Sequence, residues 1–138
     1  MSLDSIISVL LSIPVGLVSG LYTGLIVTRY ARFAELRSEA LRVIRSVDFM
    51  PDDQGVHLSR HEDVPKLLLI SSDLLFLQHK KAGEQMAQLF QQISTTNHET
   101  QSGKVSSSEY SAHHDKWQEM ARSLPPSKRV LWALWGRI

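Results

Sequence analysis

Residues 6–27 read IISVLLSIPVGLVSGLYTGLIV and contain no charged side chain. At 1.5 Å rise per residue a helix of this length spans about 33 Å, against roughly 30 Å of bilayer hydrocarbon. A cleavable signal peptide would need a basic start and an apolar core of about 7–15 residues. This chain starts Met-Ser-Leu-Asp, and its apolar residues continue to Val27. The run therefore predicts a permanent anchor at 1–28. The remainder, 29–138, is enough for a modest helical core. The expected fold is all-α, a single N-terminal transmembrane helix continuing into a small cytoplasmic helical bundle.

Two features mark the run from within. Pro14 has no N–H, which leaves the Leu10 carbonyl without its helical donor and predicts a bend near residues 10–14. Small residues recur at every fourth position: Ser8, Ser12, Gly16, Gly20, Gly24 and Thr28. That spacing puts them on one helix face, where two backbones can approach closely in lipid. The stripe predicts helix–helix packing through Ser8, Ser12, Gly16, Gly20 and Gly24, and hence a homo-oligomer. In a ring of copies, Ser5, Ser12, Ser19 and Thr23 would be the lumen candidates. The competing reading is that these hydroxyls bond back to carbonyls of their own helix.

Charge sets the orientation. The net charge is only +1, but Arg29, Arg32 and Arg37 directly follow the apolar run, with Arg42 and Arg45 beyond them. Basic residues on that flank place the N-terminus outside and the C-terminal domain in the cytoplasm of a cell inner membrane. The same arginines are expected at anionic headgroups. A nucleic-acid partner is not expected, because the chain as a whole is not basic. There is no cysteine, so disulfides and thiolate metal sites are excluded.

Helices are expected at about 29–49, 62–95, 108–124 and 127–136 from apolar spacing and turn signals. In the first, Phe33, Leu36, Ala40, Val43, Val47 and Met50 alternate by three and four, either a coiled-coil seam or a face for later helices. Pro51-Asp52-Asp53-Gln54-Gly55 reads as a turn. Over 62–95 the stripe of Leu67, Ile70, Leu74 and Leu77, widened by Leu68, Leu75 and Phe76, resumes at Met86, Leu89, Phe90 and Ile93. One long helix is preferred there to two meeting near Gly83, since a lone glycine costs only about 1 kcal/mol. Residues 94–108 are polar and read as a loop. Ser107 or Ser108 would cap the next helix, with Tyr110, Trp117, Met120, Ala121 and Leu124 on its apolar side. In the last, Val130, Leu131, Trp132, Leu134 and Trp135 nearly encircle the axis. Trp132 and Trp135 are thus candidates for an interface with lipid or a partner.

The six histidines do not form a ligand pattern, and no metal or cofactor is expected. Gly-rich phosphate loops and the nucleophile elbow are absent from the sequence. An enzyme is not expected; His113, His114 and Glu119 would be its candidates. A compact helical unit behind a single membrane helix resembles the membrane-anchored HEPN-type accessory proteins of bacterial antiviral systems. Nucleases of that family pair an arginine with a histidine a turn or two further on. No histidine here stands so behind an arginine, which argues against nuclease activity. The expected function is a self-assembling inner-membrane protein, a pore or membrane-perturbing effector in stress or phage defence, controlled by its cytoplasmic helices. The alternative is a membrane-tethered adaptor that recruits a cytosolic protein through its Trp-rich C-terminal helix.

Overall fold

The structure is a computed structural model that describes the backbone of residues 3–52, 55–59 and 63–133, and the side chains of 12–47, 49–50, 58 and 63–133. Its first element, α1 (Leu3–Ser46), is a single helix of 44 residues, about 66 Å long. Pro14 lies within it and does not interrupt it. From residue 29 onward one face of α1 is buried: Phe33, Leu36, Ala40, Val43, Ile44 and Val47 are core residues. The seam expected from the spacing is thus a face packed on later helices. Met50 is not part of it and is 59 % exposed.

Helix α1 stops at Ser46 rather than near residue 49, and the next residues form a hairpin that the helical reading did not anticipate. Strand β1 (Asp48–Asp52) pairs antiparallel with β2 (Gly55–Ser59), Phe49 opposite Leu58. Side chains alternate between faces along a strand. Phe49 accordingly turns inward, its ring 4.9 Å from that of Tyr110, while Met50 turns out. Leu58 is buried beside it in the core. An extended backbone is what lets these cross-strand partners close the top of the bundle.

The long helix expected at 62–95 is two helices, α2 (Lys66–Phe76) and α3 (Lys80–Gln101). The chain reverses through Leu77–His79, with Gln78 in the left-handed region at φ 64°. Gly83, where a break was considered, lies inside α3 and is the point of closest approach. A Cβ built there would stand 2.6 Å from Leu75 Cγ and 3.2 Å from the Ser71 carbonyl oxygen. The Ser71 hydroxyl donates to the Gly83 carbonyl at 2.8 Å. Two helices packed this closely bury Leu67, Ile70 and Leu74 of α2 against Ala82, Met86 and Leu89 of α3, a gain that a single straight helix forgoes. Leu68, Leu69 and Phe76 of α2 stay exposed, and Leu75, which meets Gly83, is still 43 % exposed.

Helix α3 also runs through residues 94–101, expected as loop. Thr96, Asn97 and Thr100 continue its buried face, and Thr100 Oγ1 donates to the Thr96 carbonyl at 2.7 Å. The Tyr110 hydroxyl donates to Asn97 Oδ1 at 2.8 Å. Helix α4 (Ser107–Arg122) is capped by Ser106, whose hydroxyl accepts from the Glu109 N–H while the Glu109 carboxylate accepts from the Ser106 N–H. This reciprocal box satisfies donors that a helix start leaves open. Tyr110, Trp117 and Ala121 point inward. A short helix, α5 (Lys128–Trp132), follows; residues 134–136 of the expected 127–136 helix lie outside the described residues. From α4 onward the chain descends α1. Tyr110 meets Phe49, His114 Nε2 lies 3.0 Å from the Ile44 carbonyl, and Arg45 Nε donates to Gln118. Ser127 is bonded to His79 at the level of Phe33, and Val130 to Arg29. The bundle therefore has two poles, the hairpin at one and the α2–α3 turn with α5 at the other.

Candidate functional site

The lower half of α1 projects past the bundle. Ile13, Val15, Leu17, Val18, Leu21 and Val27 are 59–69 % exposed, and these positions cover most of the helix, leaving one side to Ser12, Gly16, Ser19 and Thr23. Gly16, Gly20 and Gly24 meet open space, with no atom within 4 Å of a Cβ built on any of them. Two hydroxyls of the proposed lumen set, Ser19 and Thr23, are turned to their own helix. Ser19 Oγ donates to the Gly16 carbonyl at 3.0 Å and Thr23 Oγ1 to the Ser19 carbonyl at 2.9 Å. Thr28 does the same toward Gly24. The side chains of Ser5 and Ser8 lie outside the described residues. Among the described residues, no helix is long and apolar enough to cross a membrane.

Above the projecting half, α1 is clasped by the C-terminal segment. Arg29, expected at a headgroup surface, is instead 4 % exposed. Its Nη1 donates to the Val130 carbonyl at 3.0 Å and also to the Ala133 carbonyl. Its Nε and Nη2 are buried with no partner among the described residues. Burying a guanidinium is costly unless its donors are matched; here two carbonyls engage only one nitrogen. The physical reason for its burial is register. Arg29 lies four residues before Phe33, on the same face as the core stripe, so the packed seam extends down to it. Tyr22, seven residues further back, donates its hydroxyl to the Trp132 carbonyl at 2.8 Å. Arg32 stays on the surface, bonded to Glu35 at 2.7 Å, and Arg37 is half-exposed. The carboxylate of Glu35 holds the Arg32 guanidinium above its ordinary pKa.

The third strap is His79. Its Nδ1 accepts the Ser127 N–H at 3.0 Å, and its ring lies 4.8 Å from that of Phe33. Burial pushes its pKa down, which keeps the imidazole neutral and Nδ1 an acceptor. Arg29, His79 and Tyr22 were not paired with the C-terminus by sequence reasoning. For Arg29 the spacing from Phe33 carried a signal; for His79 no local pattern did. Trp132 is held by its backbone carbonyl while its side chain is 63 % exposed. The Trp135 side chain lies outside the described residues.

The histidines considered for chemistry are engaged otherwise. Both ring nitrogens of His114 are occupied, Nε2 by the Ile44 carbonyl and Nδ1 by Gln118 Nε2 at 3.2 Å. His113 stacks on Trp117 with centroids 6.0 Å apart. Among the described residues, no three histidine or carboxylate side chains converge as metal ligands. An open groove of about 450 Å³ between α3 and α4 is lined by Gln88, Gln92, Thr96, His113 and Lys116; it holds no carboxylate–histidine pair for acid–base work. Comparison with protein-family models, with curated proteins and with solved structures finds no match for this chain.

Proposed function

We propose that this chain is a non-enzymatic single-pass inner-membrane protein that self-assembles through the small-residue face of α1. The observation that supports it is the lower half of α1, an uncharged run whose large apolar side chains are mostly exposed and which meets the C-terminal segment at Tyr22, on the same rigid element as the bundle core. Described side chains begin at Ser12, and residues 12–27 alone reach only about 24 Å as a helix. With residues 6–11, apolar in sequence and within α1, the run reaches the roughly 30 Å that a bilayer requires. The arginines on its C-terminal flank then put the N-terminus outside and the bundle in the cytoplasm.

Three glycines that meet open space, in line with Ser8 and Ser12, are the packing face for a second copy. Assembly of such helices under a cytoplasmic bundle fits a pore or membrane-perturbing effector of stress or phage defence, with the bundle as its control. The test is the mass of the full chain in lipid nanodiscs beside a Gly16→Leu, Gly20→Leu, Gly24→Leu variant. A discrete oligomer that the variant loses supports the reading, and conductance across planar bilayers then tests the pore. A monomer in both sinks it. A second reading, a tethered adaptor that recruits a cytosolic protein, is favoured by the exposed Trp132 indole. It expects Trp132→Ala to lose a partner while the oligomer persists.

A further inference from the structure

The pole of the bundle nearest the apolar run carries an unusual surface. His79 and Ser127 are hydrogen-bonded at the level of Phe33, so the residues that follow each of them, Lys80 and Lys128, are brought to one pole. Lys81 and Arg129 extend this cationic group, and all four side chains are exposed. Phe76, at the end of α2 just before the turn, is 58 % exposed, and Trp132 is 63 % exposed. Phe33 lies six residues beyond Val27, about 9 Å along α1. Trp132 sits lower still, its carbonyl bonded to Tyr22 within the apolar run. The polar zone of one leaflet is about 5–8 Å deep, so this pole, which runs from the level of Phe33 down to Tyr22, crosses the headgroup layer when residues 6–27 span the hydrocarbon.

We infer that this pole is a docking surface for anionic phospholipid: Lys80, Lys81, Lys128 and Arg129 meet the headgroups, while Phe76 and Trp132 enter the acyl boundary beside them. Charge complementarity names the occupant, because a cytoplasmic leaflet is negatively charged and each Lys or Arg near it adds attraction. Aromatic side chains with one apolar body are suited to that depth. Glu35 is bonded to Arg32, and Glu84, one turn along α3 from Lys80 and Lys81, leaves the four-cation group net positive. The bilayer thus has two contacts with this chain, the anchor and the underside of the bundle, and the second rests on the anchor reading.

The full chain in nanodiscs tests it, with brominated phosphatidylcholine as quencher and phosphatidylglycerol at graded fractions. A Trp135→Phe background leaves Trp132 as the exposed indole, since Trp117 is buried. Trp132 fluorescence should be quenched, and phosphatidylglycerol should be enriched around the protein. Lys80→Glu, Lys81→Glu, Lys128→Glu and Arg129→Glu together should cut that enrichment about fivefold or more. The corresponding set of Gln substitutions should give an intermediate loss. Unquenched Trp132, or enrichment unchanged in the charge-reversed variant, overturns the inference. Quenching lost on adding a cytosolic extract in place of lipid contact, with enrichment absent throughout, would assign the pole to a protein and likewise overturn it. Resistance to alkaline extraction from vesicles reads the anchor separately. A chain that stays in the membrane with Trp132 unquenched loses only this inference, whereas one that is extracted loses both.

Discussion

The two halves of α1 treat apolar residues in opposite ways. Above residue 29 they fall on one face, and Phe33, Leu36, Ala40 and Val43 are buried in the core, where α1 packs on α2 and α4. Below it Ile13, Val15, Leu17, Val18, Leu21 and Val27 spread over most of the helix and stay exposed, with the C-terminal segment touching only the upper part of the run, at Tyr22. One continuous helix therefore serves as the core of a bundle and as a free apolar rod. A stripe about 100° wide can be satisfied by a handful of neighbouring helices, whereas a helix apolar on all sides needs a surrounding medium or copies of itself. The contrast is set by where charge is placed, since arginines and glutamates outline the upper stripe and are missing from the lower run.

Substitutions can break the contrast. The largest effect is expected for Trp117→Ala, which empties the centre of the bundle beside Tyr110 and costs about 3–5 kcal/mol in chemical denaturation. Leu21→Ala in the rod should leave that transition unmoved. Glycines sharpen the point. Gly83→Ala forces a Cβ onto Leu75 and should lose about 1–3 kcal/mol, while Gly20→Ala, which meets open space, leaves bundle unfolding unchanged. A pair of melts decides it. Next comes Tyr110→Phe, which leaves the buried Asn97 Oδ1 without its donor and should cost about 1–2 kcal/mol.

The smallest expected effect is one of pH, confined to the clasp. Burial holds His79 below its ordinary pKa of about 6.5, so the unfolded chain takes up protons that the folded chain resists. The contribution is intact above about pH 6.5 and is lost progressively as pH falls below it. His79→Asn, whose amide oxygen can still accept the Ser127 N–H, should flatten that acid limb in a series of melts.

Much of the upper half was legible in the sequence because its signals are periodic. The stripe from Phe33 to Val47 and the inward face of α4 follow from helical spacing alone. The hairpin was not legible, because five-residue strands around Pro51 have too few alternations to register against a turn-like composition. The α2–α3 reversal was hidden for a different reason. Its residues are ordinary helix formers, and the break is enforced by the fit of Gly83 against Leu75, a contact between segments. Residues 94–101 look like loop by composition, yet Thr96, Asn97 and Thr100 find partners that keep them in a helix. The clasp was the least legible part, since Arg29 was read as a surface cation and its partners are backbone carbonyls, which carry no sequence signature.

That clasp has a consequence in time. Arg29 is joined to carbonyls 101 and 104 residues further along the chain. At a synthesis rate of about 5–20 residues per second, these carbonyls emerge roughly 5–20 s after Arg29 does. For that interval the guanidinium is bare, its donors open to water. Once residue 133 arrives the charge is withdrawn beneath the C-terminal segment, and the bundle can close only after its last helix has left the ribosome.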